Sequence, residues 1–136
     1  MITKERPETL HGSTRRIKTG CGNLYVTINE DSEGNTIEVF CKLGKTGGCG
    51  ASQMEAMGRL ISVSLRSGYD IDGIIKQLKG ISCHQPMGLG PMKVSSCSDG
   101  VAQLLMAHKA RKEVGNEKKD HQVADQSVPP GIPSKK

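Results

Sequence analysis

Aromatic side chains are nearly absent from this chain: its 136 residues include one Phe, two Tyr and no Trp. A core built without them has to be aliphatic, filled by Leu, Ile, Val and six Met. The same scarcity argues against binding single-stranded nucleic acid by stacked bases. No run approaches the roughly 20 apolar residues that cross a bilayer. The start, Met1-Ile2-Thr3-Lys4-Glu5-Arg6, lacks the apolar core of a signal peptide, so a cytoplasmic protein with no membrane contact is expected. Length is restrictive as well, since 136 residues suit one domain and neither a large enzyme barrel nor a two-domain dehydrogenase.

A strong charge of one sign is also missing from the body of the chain. The net charge is +5, but from Lys109 onward seven Lys or Arg face four acids, while the preceding residues hold twelve against ten. A body so near neutrality does not present the concentrated basic face of a dedicated DNA-binding domain. What the chain has in quantity is glycine, with 17 residues, and a conspicuous odd set of five cysteines. In a reducing compartment those are thiols, metal ligands or redox groups before they are structural disulfides.

The patterning divides the chain into a loose lead-in (1–12), an ordered body (13–110) and a polar, basic tail (111–136) expected to be disordered, ending Val128-Pro129-Pro130-Gly131-Ile132-Pro133. Strand patterns run over Thr14 to Lys18, Leu24 to Ile28 and Thr36 to Cys41, the last two flanking a polar Gly-containing turn. Alternation places Leu24, Val26 and Ile28 on one face and Tyr25, Thr27 and Asn29 on the other. Ser52 with Glu55 reads as a capping box opening a helix through Met54, Met57, Ile61 and Leu65, with Leu60 beside them and Gly68 as the stop. Asp70 or Asp72 caps a second helix through Ile74, Ile75 and Leu78, closed by Gly80. A Gly- and Pro-rich loop from Ile81 to Pro91 follows. Ser96 with Asp99 then opens a third helix whose face carries Val101, Leu104, Leu105 and His108. These elements predict an α+β fold: a small antiparallel sheet, a hairpin plus one strand, packed with about three helices.

Four of the cysteines, Cys21, Cys49, Cys83 and Cys97, sit at element boundaries where loops converge; Cys41 ends a strand and looks ordinary. One reading is a zinc site of four thiolates, with His84 able to replace one, although no Cys-x-x-Cys pair is present. Another is a redox pair centred on Cys97, whose place at a helix start stabilises a thiolate; Cys49 shares a weaker form of that advantage. The plain alternative is four small residues in tight turns. Gly44-Lys45-Thr46 fails as a phosphate loop because position 39 is Val39, not Gly. Lys45, Thr46, Gly47 and Gly48 still gather backbone amides, a cation and a helix start, making an anion site a candidate. No Ser/His/Asp arrangement or carboxylate pair stands out, so no catalytic residue is assigned.

The blocks Lys18-Thr19-Gly20-Cys21-Gly22-Asn23, Leu43-Gly44-Lys45-Thr46-Gly47-Gly48-Cys49, Glu55-Ala56-Met57-Gly58-Arg59-Leu60, Gln77-Leu78-Lys79-Gly80-Ile81-Ser82-Cys83 and Ser96-Cys97-Ser98-Asp99 occur in one order. Together they resemble the TSCPD domain, which occurs at the C-terminal side of adenosylcobalamin-dependent ribonucleotide reductases and as stand-alone proteins. The likeness runs from about Gly12 to Leu105. The run that names the family reads Ser95-Ser96-Cys97-Ser98-Asp99 here, so Thr and Pro are replaced while the cap and the thiol stay. Cys21, Cys49, Cys83 and Cys97 fall on the family's cysteine positions and Cys41 does not. The resemblance implies an accessory domain of deoxyribonucleotide synthesis that binds a reductase or a nucleotide. Its catalytic barrel is expected elsewhere, with cobalamin supplied only through a partner reductase. A thiol redox protein and a zinc-stabilised interaction module are the rival expectations.

Overall fold

The structure is a computed structural model and describes residues 2–44 and 48–125. The chain falls into two compact units, Met1–Met106 and Ala107–Lys136. In the first, three strands form an antiparallel meander in the order β1 (His11–Thr19), β2 (Gly22–Glu30) and β3 (Thr36–Leu43). The α+β reading holds, and so does the strand alternation. Leu24, Val26, Ile28 and Val39 are fully buried on one face, whereas Tyr25, Thr27 and Asn29 point to the other, as a period of two requires. Asp31 closes the β2–β3 turn by accepting from the N–H groups of Glu33 and Asn35, with Gly34 at φ +84° completing it.

Helix α1 (Gly48–Arg66) lies against β3. It begins earlier than the sequence reading places it, so Ser52 is inside the helix and the expected box with Glu55 does not form. The Ser52 hydroxyl donates instead to the Cys49 carbonyl at 2.9 Å, the usual recourse of a serine that has missed the cap. Glu55 pairs with Arg59 at 2.7 Å. The buried face contains Met54 and Ile61 as expected, but also Gly58 and Ser62. A Cβ on Gly58 would lie 3.0 Å from the Val39 carbonyl, so glycine is what lets the helix approach β3. Ser62 exploits that approach. Its hydroxyl accepts from the Val39 N–H at 2.9 Å and lies 3.1 Å from the Val39 carbonyl, serving the outer edge of β3. Leu60, which the sequence reading sets beside that face, is 69% exposed. At the C-terminus Gly68 (φ +88°) ends the helix. The N–H of Tyr69 reaches the Ser64 carbonyl and that of Gly68 the Leu65 carbonyl, which is the Schellman arrangement.

Helix α2 (Ile71–Leu78) buries Ile74 and Ile75, with Asp70 at its N-cap but no side-chain capping bond. Helix α3 begins at Cys97 and continues to Asp125, although its polar C-terminal part reads by composition as an unstructured tail from 111. Between Asn116 and Asp125 neither Pro nor Gly interrupts the chain, and Glu, Lys, Gln and Ala are good helix formers. Helix propensity there outweighs the polar composition. The rest of the tail expectation, 126–136, lies outside the described residues.

The core joins Leu24, Val26, Ile28, Val39, Cys41 and Leu43 of the sheet with Met54 and Ile61 of α1, Ile74 and Ile75 of α2, and Val101, Leu104 and Leu105 of α3. Each such aliphatic contributes roughly 1.5–3 kcal/mol when fully buried. That outweighs the ~0.2–1 kcal/mol of an exposed ion pair such as Arg59–Glu55. The residues before β1, read as a loose lead-in, have no regular structure but are pinned to the body. The Lys4 N–H donates to the Arg66 carbonyl at 3.0 Å. Arg6 clamps the buried Glu38 carboxylate through Nε at 2.6 Å and Nη2 at 3.2 Å. No helix among the described residues is long and apolar enough to cross a membrane.

Candidate functional site

The β1–β2 connection is as short as a hairpin allows. Thr19 pairs with Gly22, leaving Gly20 and Cys21 as the turn, with Gly22 at φ +121°. Gly20 is there because the next loop lies directly on it: a Cβ would fall 1.8 Å from the Gln85 carbonyl. That contact brings the segment around Cys83 to Gln85 onto the turn that carries Cys21. The loop itself is closed by a Met87–Val94 bridge and by the Cys83 N–H donating to the Ser95 carbonyl at 3.0 Å.

The start of α3 supplies the third wall. The Ser96 hydroxyl accepts from the Asp99 N–H at 3.0 Å, as the sequence predicts for a cap. The same hydroxyl donates to the Ile81 carbonyl. The Asp99 carboxylate departs from the capping-box pattern and accepts from three donors instead. These are the Gly80 N–H at 2.9 Å, the Ser95 N–H at 3.0 Å and the Gln103 amide at 2.9 Å. Burial opposes its charge, but these donors outweigh that and hold the Asp99 carboxyl below the usual carboxylate range. One carboxylate thus ties the end of α2, the loop before α3 and the first turn of α3 together.

Cys97 is the first residue of α3. Its sulfur lies 3.4 Å from the Thr19 hydroxyl. Thr19 in turn donates to the Gly22 carbonyl at 2.9 Å and accepts from the Cys21 N–H at 3.2 Å. A hydroxyl has a single proton. While Thr19 gives it to Gly22 it can only accept from a Cys97 thiol; turned toward sulfur, it can donate to a thiolate. Cys97 and Cys83 both lie near enough to Cys21 to disfavour its thiolate. Desolvation first, then these two neighbours, push the Cys21 thiol above its ordinary value. The Cys21 thiol also faces the Gln85 amide oxygen at 3.9 Å, and the Gln85 N–H donates to the Cys83 sulfur at 3.3 Å.

Three of the four cysteines singled out by sequence, Cys21, Cys83 and Cys97, are therefore brought to one corner. Cys49 occupies the exposed first turn of α1 and shares no hydrogen bond with the other three among the described residues. Cys41 is a core residue whose thiol burial pushes up to about 12. No disulfide joins any of the five. Among the described residues no three Cys, His, Asp or Glu side chains are arranged, as they stand, to hold a metal ion. His84 is exposed beside Cys83. Of the candidate anion loop, Lys45, Thr46 and Gly47 lie outside the described residues, and Gly48 opens α1 with φ +81°. Sequence reasoning missed Thr19, Asp99's clamp on Gly80, and Gln85, because each acts on a segment far along the chain.

An α+β domain of three strands and three helices, with a thiol corner where the β1–β2 turn meets the start of α3, defines the class. The TSCPD domain profile matches residues 1–109, and the chain belongs to that family. The match extends the likeness noted above to the pinned residues before β1. The family is linked to ribonucleotide reductases. No curated protein and no solved structure matches the chain.

Proposed function

We propose that this protein is an accessory binding domain of the ribonucleotide-reductase system, acting on a reductase partner without performing the reduction itself. The observation that carries the reading is the family match over 1–109. Cobalamin, in this reading, enters only with the partner. The thiol corner is the feature through which the domain serves that partner, since Cys21 is exposed while Cys83 and Cys97 stand behind it. Immobilised protein presented with purified reductase, with and without nucleoside diphosphate and triphosphate, tests it. Saturable binding is expected; absence of binding under every nucleotide condition contradicts it.

A thiol redox role is the second reading, favoured by the nearness of Cys21 to Cys97 and by the place of Cys97 at a helix N-terminus. The step would be a thiol–disulfide exchange. The Cys97 thiolate attacks a partner disulfide, Cys21 then attacks the mixed disulfide, and two thiols replace the partner's bond while Cys21–Cys97 forms here. Zinc would compete with this role. Three thiolates from Cys21, Cys83 and Cys97, with Cys49 or His84 as a fourth donor, would close the corner and remove the thiols from electron transfer. Metal analysis with thiol counting on one sample separates the two: four reactive thiols without zinc support exchange, and stoichiometric zinc supports a structural corner.

A further inference from the structure

The sheet has a second face. The helices bury the side carrying Leu24, Val26, Ile28 and Val39, and the register places Thr14, Arg16 and Lys18 of β1, Tyr25 and Thr27 of β2, and Phe40 and Lys42 of β3 on the opposite side. We propose that this open face binds single-stranded nucleic acid.

Placement matters here more than number. The chain has three aromatic residues, and two of them, Tyr25 and Phe40, are on this face rather than in the core. Its single Phe is 53% exposed, outside a core of Leu, Ile, Val, Ala, Met and Cys. Tyr25 is paired with Lys42, and Phe40 is two residues further along β3. The two positions are thus diagonal neighbours on adjacent strands, about 7–8 Å apart, with the Tyr25 ring itself lying over Gly44. Two rings so placed on a flat sheet offer successive unpaired bases a stacking platform, the way sheet-based modules take up single strands. The Thr14 and Thr27 hydroxyls, joined at 2.7 Å, lie beside Phe40 as a polar strip.

Charge selects the occupant. Arg16, Lys18 and Lys42 are exposed on this face. The carboxylate the alternation places there, Glu38, is already committed to Arg6 and Asn29. At the β3 rim, a cleft of about 480 Å³ joins Phe40 to Arg66 and to Arg6 and Arg59, the latter two paired with Glu38 and Glu55. The cations outside those ion pairs, Arg16, Lys18, Lys42 and Arg66, are spread across two strands and a helix instead of being gathered round one phosphate, which fits a polyanionic strand better than a mononucleotide. A duplex would hide the bases from both rings. This inference stands apart from the thiol corner and uses none of its residues.

The absence of tryptophan provides the test. In the Phe40→Trp chain the new indole is the sole one, and a stacked base should quench it. Full-length protein is titrated with a labelled oligothymidylate of about a dozen nucleotides at about 50 mM salt, read by anisotropy and by that quenching. Expected are saturable binding, quenching in Phe40→Trp, and a loss of about fivefold or more in Phe40→Ala. Arg16→Ala with Lys42→Ala should make the log–log salt slope shallower by about 1.4, the value for two phosphate contacts on a single strand. Circular dichroism confirms that these exposed positions leave the fold intact. No binding, or binding that Phe40→Ala leaves unchanged, overturns the proposal. So does equal affinity for a hairpin duplex, or equal competition by thymidine monophosphate or by polyglutamate.

Discussion

Asp99 concentrates more connections than any other side chain of the thiol corner, and its pH behaviour is directly testable. Its carboxyl is held below the ordinary value by Gly80, Ser95 and Gln103, so the carboxylate stabilises the fold above the unfolded pKa of about 3.9. That contribution is lost as pH falls through the lower folded value. Asp99→Asn should cost about 1–3 kcal/mol at neutral pH, because an amide NH₂ would face the backbone donors. In urea melts the gap to wild type should narrow toward pH 3; a constant gap would show that the charge does not matter. Cys41 has the opposite sign. Its thiol is pushed up to about 12, so the folded state favours the neutral form and loses stability as pH rises from about 8.5, the unfolded value, toward that figure. Native alkylation at pH 8 should leave Cys41 unmodified while Cys21 and Cys49 react. Labelling of Cys41 at the same rate as Cys49 would contradict its burial. Neither shift is legible in sequence: Asp99 reads as a helix cap, and Cys41 reads as an ordinary strand-end cysteine, until the fold supplies their neighbours.

Among the elements, α1 depends on small residues where sequence reading looks for large ones. Period-two alternation made the β2 faces readable residue by residue, and Met54 and Ile61 were correctly assigned inward. Gly58 and Ser62 were not, because closeness to a strand backbone leaves no hydropathy signal. Ser62→Ala should destabilise by about 1–3 kcal/mol, leaving the Val39 N–H without its partner. Gly58→Ala should also destabilise despite the ~1 kcal/mol gain in helix propensity, because backbone at 3.0 and 3.2 Å cannot give way as a side chain would. Thermal melts that place Gly58→Ala above wild type would refute the close approach. The two serine caps make the same point. Ser96 meets its helix start as predicted, whereas Ser52 does not, because a glycine-rich entry lets α1 begin at Gly48.

For the molecule as a whole, the sequence declared which thiols stand at boundaries but not which boundaries meet. Gly20 admitting the Gln85 backbone is what folds the Cys83 loop onto the Cys21 turn, and Ser96 seats Cys97 beside both. The convergence is a property of three segments docking, and a pattern along one of them cannot contain it. The most direct test is mild oxidation of chelator-treated protein followed by peptide mapping of its disulfides. The geometry predicts a Cys21–Cys97 bond as the first product, with Cys41 still a thiol and Cys49 unlinked. Linkage of Cys49 or Cys41 ahead of that pair, or no intramolecular bond to Cys21 at all, would contradict the thiol corner.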